Sequence, residues 1–442
     1  VTDEILPGAT SPTVGMPQPE APTPGTPADG PGASGAPDAS GEDRASDVLR
    51  RIATGDVGVS VLAFVLALVI GGILIAAVDP DVTKAAGYFF SRPGDLLGAA
   101  WDSVTQAYSA MFKGAVVNVD EYTFQRAIRP LTETMTVATP LIIAALGVAV
   151  GFRAGLFNIG AQGQVIIGAT LGGYVGFAWS LPVGLHLLLA LVGGVLGGAV
   201  WAGIAGFLRA RTGAHEVIVT IMLNYVALYL LAYLLTTDAF TIPGSNQPTS
   251  PGVDSSAQLP RLLGDWSRLN AGFIVAILAA IFVWWLMTRS VIGFRFRAVG
   301  SNPHASRTAG VSISTTIVLV MVTSGALAGL AGAVQILGTE RQLSGGIAGS
   351  LGFDAITVAL LGRSRPLGIV LAGLLYGGLD VGGRVMEAAT GTPIDIVLVI
   401  QALVVLFIAA PPLVRAIFRL PDPAAPRRPK ARPEPAVKGA SA

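Results

Sequence analysis

The chain has 442 residues, of which 52% are hydrophobic and 12% charged, with a net charge of +1 and a mean hydropathy of +0.66. A soluble domain carries about 25% charged residues, so this balance excludes an ordinary soluble enzyme and points to an all-α polytopic membrane protein. The lack of cysteine excludes disulfides, thiolate chemistry and Cys-ligated metals, and a charge so near zero gives no basis for a nucleic-acid partner.

Residues 1–48 are rich in Pro, Gly, Ala and Ser and nearly free of large apolar side chains. Such a segment cannot bury enough surface to offset the entropy of ordering, and it is expected to be a disordered tail. It also lacks the basic stretch followed by an apolar run that marks a secretory signal. A second, basic tail is expected over 419–442, leaving a transmembrane domain over 49–418.

Within that domain, apolar runs bounded by charges or Gly/Pro clusters predict about ten spans. They fall near 57–78, 132–151, 161–180, 184–208, 216–237, 271–288, 312–337, 348–362, 366–382 and 394–416. The eighth and ninth are short and glycine-rich, so either is a candidate for a broken or re-entrant segment. Two longer hydrophilic connections, 79–131 and 238–270, separate the first span from the second and the fifth from the sixth. With the N-terminus inside, 19 of the 28 Lys and Arg residues fall on the inner side. The short inner loops carry most of this excess, so both termini are expected in the cytoplasm.

The stretch GFRAGLFNIGAQGQVIIGATLGG (151–173) interrupts the apolar pattern with glycines and with Asn158, Gln162 and Gln164. Glycine weakens a helix, and backbone groups freed at membrane depth survive only when buried in protein or facing water. Discontinuous helices of this kind build solute sites in transporters; tight helix contact through small residues is the alternative. A similar glycine content near 345–362 is compatible with an inverted repeat. Carboxylates in or beside the spans sharpen the picture. Glu216 and Asp395 lie at span ends, where they cap a helix or meet headgroups. Asp354 follows a Gly-rich break and is expected to line a pathway or to fix its backbone. Asn224 sits two turns after Glu216 and near the same face.

No phosphate-binding loop, nucleophile elbow or HExxH motif is present, so the chain is not expected to be an enzyme. His186, His215 and His304 lie far apart with no metal-ligand spacing, and neither metal nor cofactor is expected. Between the sixth and seventh spans, NPHASRTAG reads as a short helix: Asn302 caps it, Pro303 takes the first helical position and Gly310 ends it.

Four stretches in order, FRAGLFNIGAQGQVIIGA, HEVIVTIMLNYVALYL, RAVGSNPHASRTAGVS and GFDAITVALLGRSRPLGIVLAGLLYGGL, resemble the permease subunits of ABC importers for branched-chain amino acids, simple sugars and nucleosides. The likeness covers about 132–416 and is strongest to the nucleoside type. It implies that Gly300, Asn302, Pro303, Ala305, Arg307 and Gly310 form a coupling helix seated in a separate cytoplasmic ATPase. It also implies a second related permease, a substrate-binding lipoprotein and a small-molecule substrate moved across the bacterial cytoplasmic membrane by alternating access. Phe157, Asn158, Gln162, Gln164, Asn224 and Asp354 are the candidate pathway residues. A simple-sugar permease is the nearest alternative, and an ion-coupled carrier using Asp354 or Glu216 a more distant one. The N-terminal tail and 79–131 depart from the family pattern.

Overall fold

The computed structural model describes residues 56–419 except 243, 245 and 246. The tail expected at 1–48, and all of the tail expected at 419–442 but Arg419, lie outside the described residues. Among the described residues there are fifteen α-helices and no strand beyond an isolated bridge between Arg261 and Asn270.

Among the described residues, seven helices are long and apolar enough to cross a membrane. They are α1 (Asp56–Val78), α4 (Phe124–Arg153), α6 (Leu185–Thr212), α7 (Glu216–Leu234), α8 (Gly272–Arg289), α11 (Ile313–Val334, continued to Glu340) and α13 (Pro366–Thr390). The last expected span is a pair, α14 (Asp395–Ala409) and α15 (Pro411–Ile417), bent by 95° at the residue before Pro411. The remaining two are α5 (Ala161–Ala178), diluted by Gln162 and Gln164, and α12 (Leu351–Leu361). At about 1.5 Å per residue, α12 is roughly half as long as a bilayer core of about 30 Å requires. Each expected span therefore corresponds to a helix or a bent pair, and the eighth is the short one.

The connections hold more structure than their composition suggests. Region 79–131 contains α2 (Pro80–Ala86) and α3 (Pro93–Ala115). Asp79 caps α2 by accepting from the Asp81 amide at 2.8 Å, and it also accepts from the Ser103 hydroxyl of α3 at 2.7 Å. Tyr108 of α3 donates to the Leu68 carbonyl of α1 at 2.5 Å. Helix α3 escapes a hydropathy reading because it is amphipathic: Ala107, Gly114 and Ala115 pack inward while Asp95 and Asp102 stay outside. The connection 238–270 is docked rather than looped out. Backbone amides of Ser250, Val253 and Leu259 donate to carbonyls of Leu343, Arg341 and Leu337 at 2.8–3.0 Å.

The core forms around α4, whose residues 138–151 are all buried. Helices α5, α6 and α11 pack through glycine. A Cβ added at Gly198 or Gly329 would overlap the backbone of the facing helix. Small residues of this kind let helix backbones touch, which is how bundles associate in lipid. The loops after α8 continue into α9 (Val291–Ser301) and α10 (Pro303–Thr308).

Candidate functional site: a cavity between broken helices

The chain breaks between α4 and α5, at residues 154–160. Gly155 takes φ +70°, a left-handed conformation that only glycine adopts at little cost. Two side-chain amides, Asn224 and Asn158, satisfy backbone groups freed at the break, and Gln164 holds Asn158 in place. Asn224 of α7 accepts from the Gly163 amide at 2.8 Å and donates to the Ile159 carbonyl at 3.0 Å. Asn158 accepts from the Gly160 amide and from Gln164 Nε2, both at 3.0 Å, and its Nδ2 lies within reach of Gln164 Oε1 and Ser324 Oγ. Asn158, Gln164 and Asn224 are 1%, 1% and 7% exposed, and their amides are committed to the protein. Phe157 is exposed and packs against Phe152, with ring centres 4.9 Å apart and planes tilted by 34°.

Gln162 faces another way and joins this break to a second one. Its Nε2 donates to the Gly349 carbonyl and its Oε1 accepts from the Gly352 amide, each at 2.7 Å. The second break begins where α11 widens into a π-helical turn, Gln335–Glu340, and runs through a glycine-rich segment to Leu351. Helix-ladder irregularities of this type concentrate at functional sites.

Beside the second break lies a cavity of about 350 Å³. Irregular backbone supplies much of its wall: Thr136 and Pro140 of α4, Gln335, Thr339 and Glu340 of the π turn, and Gly349. Pro140 lacks an amide hydrogen, so the Thr136 carbonyl loses its helical donor in the wall itself. Asp354 and Tyr376 add polar side chains. Tyr376 donates to Asp354 Oδ1 at 2.8 Å and Ser350 to Oδ2 at 2.5 Å. Asp380 and Arg384, one and two turns beyond Tyr376 on α13, form an ion pair at 2.7 Å. Gln401 of α14 and Arg268 of the docked connection complete the polar lining.

Of the six candidate pathway residues, Asp354 lines this cavity and Gln162 braces its wall through Gly349. Phe157, Asn158, Gln164 and Asn224 lie around the first break instead. Tyr376, Asp380, Arg384, Glu340 and Gln401 were not singled out from the sequence. The spacing Tyr376–Asp380–Arg384 was the available signal, because polar residues four apart share one face of a helix. Glu216 and Asp395, the other two carboxylates singled out in the sequence, lie away from this cavity. Glu216 is buried and ion-paired with Arg209, whereas Asp395 is exposed in the first turn of α14.

The short helix α10 has the form expected of it. The Asn302 side chain accepts from the Ala305 amide at 3.0 Å, Pro303 occupies the first turn and Gly310 takes φ +79°. Only Ser306 is buried between Ser301 and Gly310. Pro303, Ala305 and Arg307 therefore point away from the bundle. Gly300, just before α10, packs against the backbone of Arg153 and Ala154 at the end of α4.

These features define a multi-pass helical membrane protein with broken helices beside a polar cavity and an exposed short helix between two spans. Residues 131–409 match the family described as branched-chain amino acid transport system / permease component, and the chain belongs to it. It is 41% identical over 321 residues to the guanosine ABC transporter permease protein NupP of Bacillus subtilis (strain 168), covering 72% of this chain and 88% of that protein. It is 36% identical to the glucose ABC transporter permease protein TsgB13 of Haloferax volcanii, over 79% of this chain and 86% of that protein. With the nucleoside ABC transporter permease protein NupB of Lactococcus lactis subsp. cremoris it shares 37% identity, over 64% and 79% of the respective chains. No solved structure matches.

Proposed function

We propose that the chain is the membrane-spanning subunit of an ATP-driven importer that carries nucleosides across the cytoplasmic membrane by alternating access. The observation that carries this reading is the extent of the likeness to a guanosine permease, 41% identity over 88% of that protein. The exposed helix Pro303–Thr308 is the natural seat for a separate cytoplasmic ATPase, because it leaves five of its six residues free of the bundle. The excess of Lys and Arg on that side supports a cytoplasmic location for both termini. A substrate-binding lipoprotein then delivers solute to the opposite face, and a second related permease completes the path.

In this mechanism the solute passes through the cavity walled by Asp354 and Tyr376. Gln162 holds the backbone of that wall, while Asn158, Gln164 and Asn224 keep the first break rigid. Motion of α10 reaches the first break through Gly300. Rigid rocking of packed helices around a central site is the general route of alternating access.

Uptake of labelled guanosine and uridine by cells lacking the chain, with the wild-type or an Arg307-altered copy restored, tests the proposal. Uptake restored by the wild type, lost with the altered copy and insensitive to collapse of the proton gradient while ATP is maintained is the expected result. Uptake indifferent to Arg307 but abolished by the uncoupler would instead favour an ion-coupled carrier. The likeness to TsgB13 supports a second reading, a simple-sugar permease; labelled glucose in the same cells distinguishes the two.

A further inference from the structure

Gln401 lies on α14 in the run VLVIQALVV, flanked by buried Val397, Ile400 and Val404. It is 4% exposed, it lines the same cavity as Asp354 and Tyr376, and its Oε1 has no hydrogen-bond partner among the described residues. Leaving a buried amide oxygen unmatched is costly, and folded proteins match nearly all such atoms. This protein does so at Asn158, Gln164 and Asn224, each tied to backbone or side-chain partners. An exception at a cavity wall calls for a specific cause.

The neighbouring polar groups do not supply that partner. The nearby donors are directed elsewhere: Ser350 and Tyr376 donate to Asp354, and Arg384 to Asp380. A leucine of similar size would fill the position and agree with its apolar neighbours. Retaining an amide there makes sense if its hydrogen bonds go to a passing solute, since functional sites are where proteins depart from such local rules.

We propose that Gln401 contacts the solute in the translocation cavity. An amide offers an acceptor and a donor side by side. Its match is an uncharged solute edge that presents a donor beside an acceptor. The edge of a nucleobase has this chemistry, and so does a pair of neighbouring sugar hydroxyls. The inference rests on the transport reading above and adds to it a residue and a mode of recognition.

The chain contains no cysteine, so Gln401→Cys in the full transporter carries the one thiol of this subunit. Membrane vesicles holding the assembled transporter are treated with a water-soluble methanethiosulfonate, with guanosine or glucose present in separate arms. Labelling of this subunit slowed about tenfold by guanosine, at a concentration roughly ten times its Kd, is the expected result. Protection by glucose alone would retain Gln401 as a contact and overturn the nucleoside reading. Labelling unaffected by either solute would overturn the contact. Gln401→Leu is the companion variant: wild-type uptake first establishes which solute is carried, and uptake of that solute should fall about tenfold. Its thermal unfolding midpoint should stay level or rise, because an unmatched buried amide has been removed. Wild-type uptake by Gln401→Leu, or reduced uptake with a lowered midpoint, would overturn the proposal.

Discussion

Gly155 and Gly300 meet backbone to backbone. A Cβ on Gly155 would lie 3.2 Å from Gly300 Cα, and one on Gly300 would lie 2.6 Å from the carbonyl carbon of Ala154. The break after α4 and the last turn of α9 thus touch with no side chain between them. Gly300→Ala should cost about 1–3 kcal/mol through overpacking, read as a lower unfolding midpoint in lipid or detergent. Gly300→Val should cost more. If backbone contact transmits motion, uptake should fall further than the loss of stability explains.

The exposed face of α10 makes the opposite prediction. Arg307→Glu alters no buried contact, so stability should remain within about 0.5 kcal/mol of wild type. Uptake should nevertheless fall by about tenfold or more, because reversing a charge at a docking surface sets like against like or removes a complementary pair. Unfolding and uptake measured on one preparation separate the two effects.

Asn224 satisfies two backbone groups at the first break. Asn224→Leu leaves the Gly163 amide and the Ile159 carbonyl without their side-chain partner, at about 1–3 kcal/mol for each buried group left unmatched. The unfolding midpoint should drop accordingly. Asn224→Asp should lose less packing but leave the Ile159 carbonyl facing an oxygen, so it should not rescue the variant.

Asp79 provides a pH signature outside the membrane. The Ser103 hydroxyl is the largest cause that holds its carboxyl below the ordinary value, aided by the amides of Asp81 and Val82. A carboxyl whose folded pKa is depressed contributes stability above its unfolded value, about 3.9, and loses it as pH falls through the folded one. The stability gap between wild type and Asp79→Asn should therefore be full at neutral pH and shrink below about pH 4. Ser103→Ala should narrow the gap at neutral pH.

Much of the architecture was legible in sequence because lipid imposes a simple rule: a spanning helix must be apolar over most of its length. The short helix at Pro303 was also legible, since Asn302, Pro303 and Gly310 each act on their own backbone. Helix α3 was not, because its amphipathic face is stabilised by α1 and α13 rather than by lipid. The candidate site was legible in part. Asp354 announced itself as a carboxylate in an apolar run, whereas Gln401 looked like one polar residue in a terminal helix. Only the cavity beside it gave that position meaning.

By itself the sequence determined which segments form apolar helices, where the chain breaks, and to which family of permease components it belongs. These properties follow from composition and local backbone chemistry along one stretch of chain. The tertiary structure alone decided what each polar group near a break does. Asn158, Gln162, Gln164 and Asn224 look alike in sequence, yet three close the first break and Gln162 braces the second. The partners that distinguish them are supplied by residues 324, 349 and 352, brought alongside only when the helices pack.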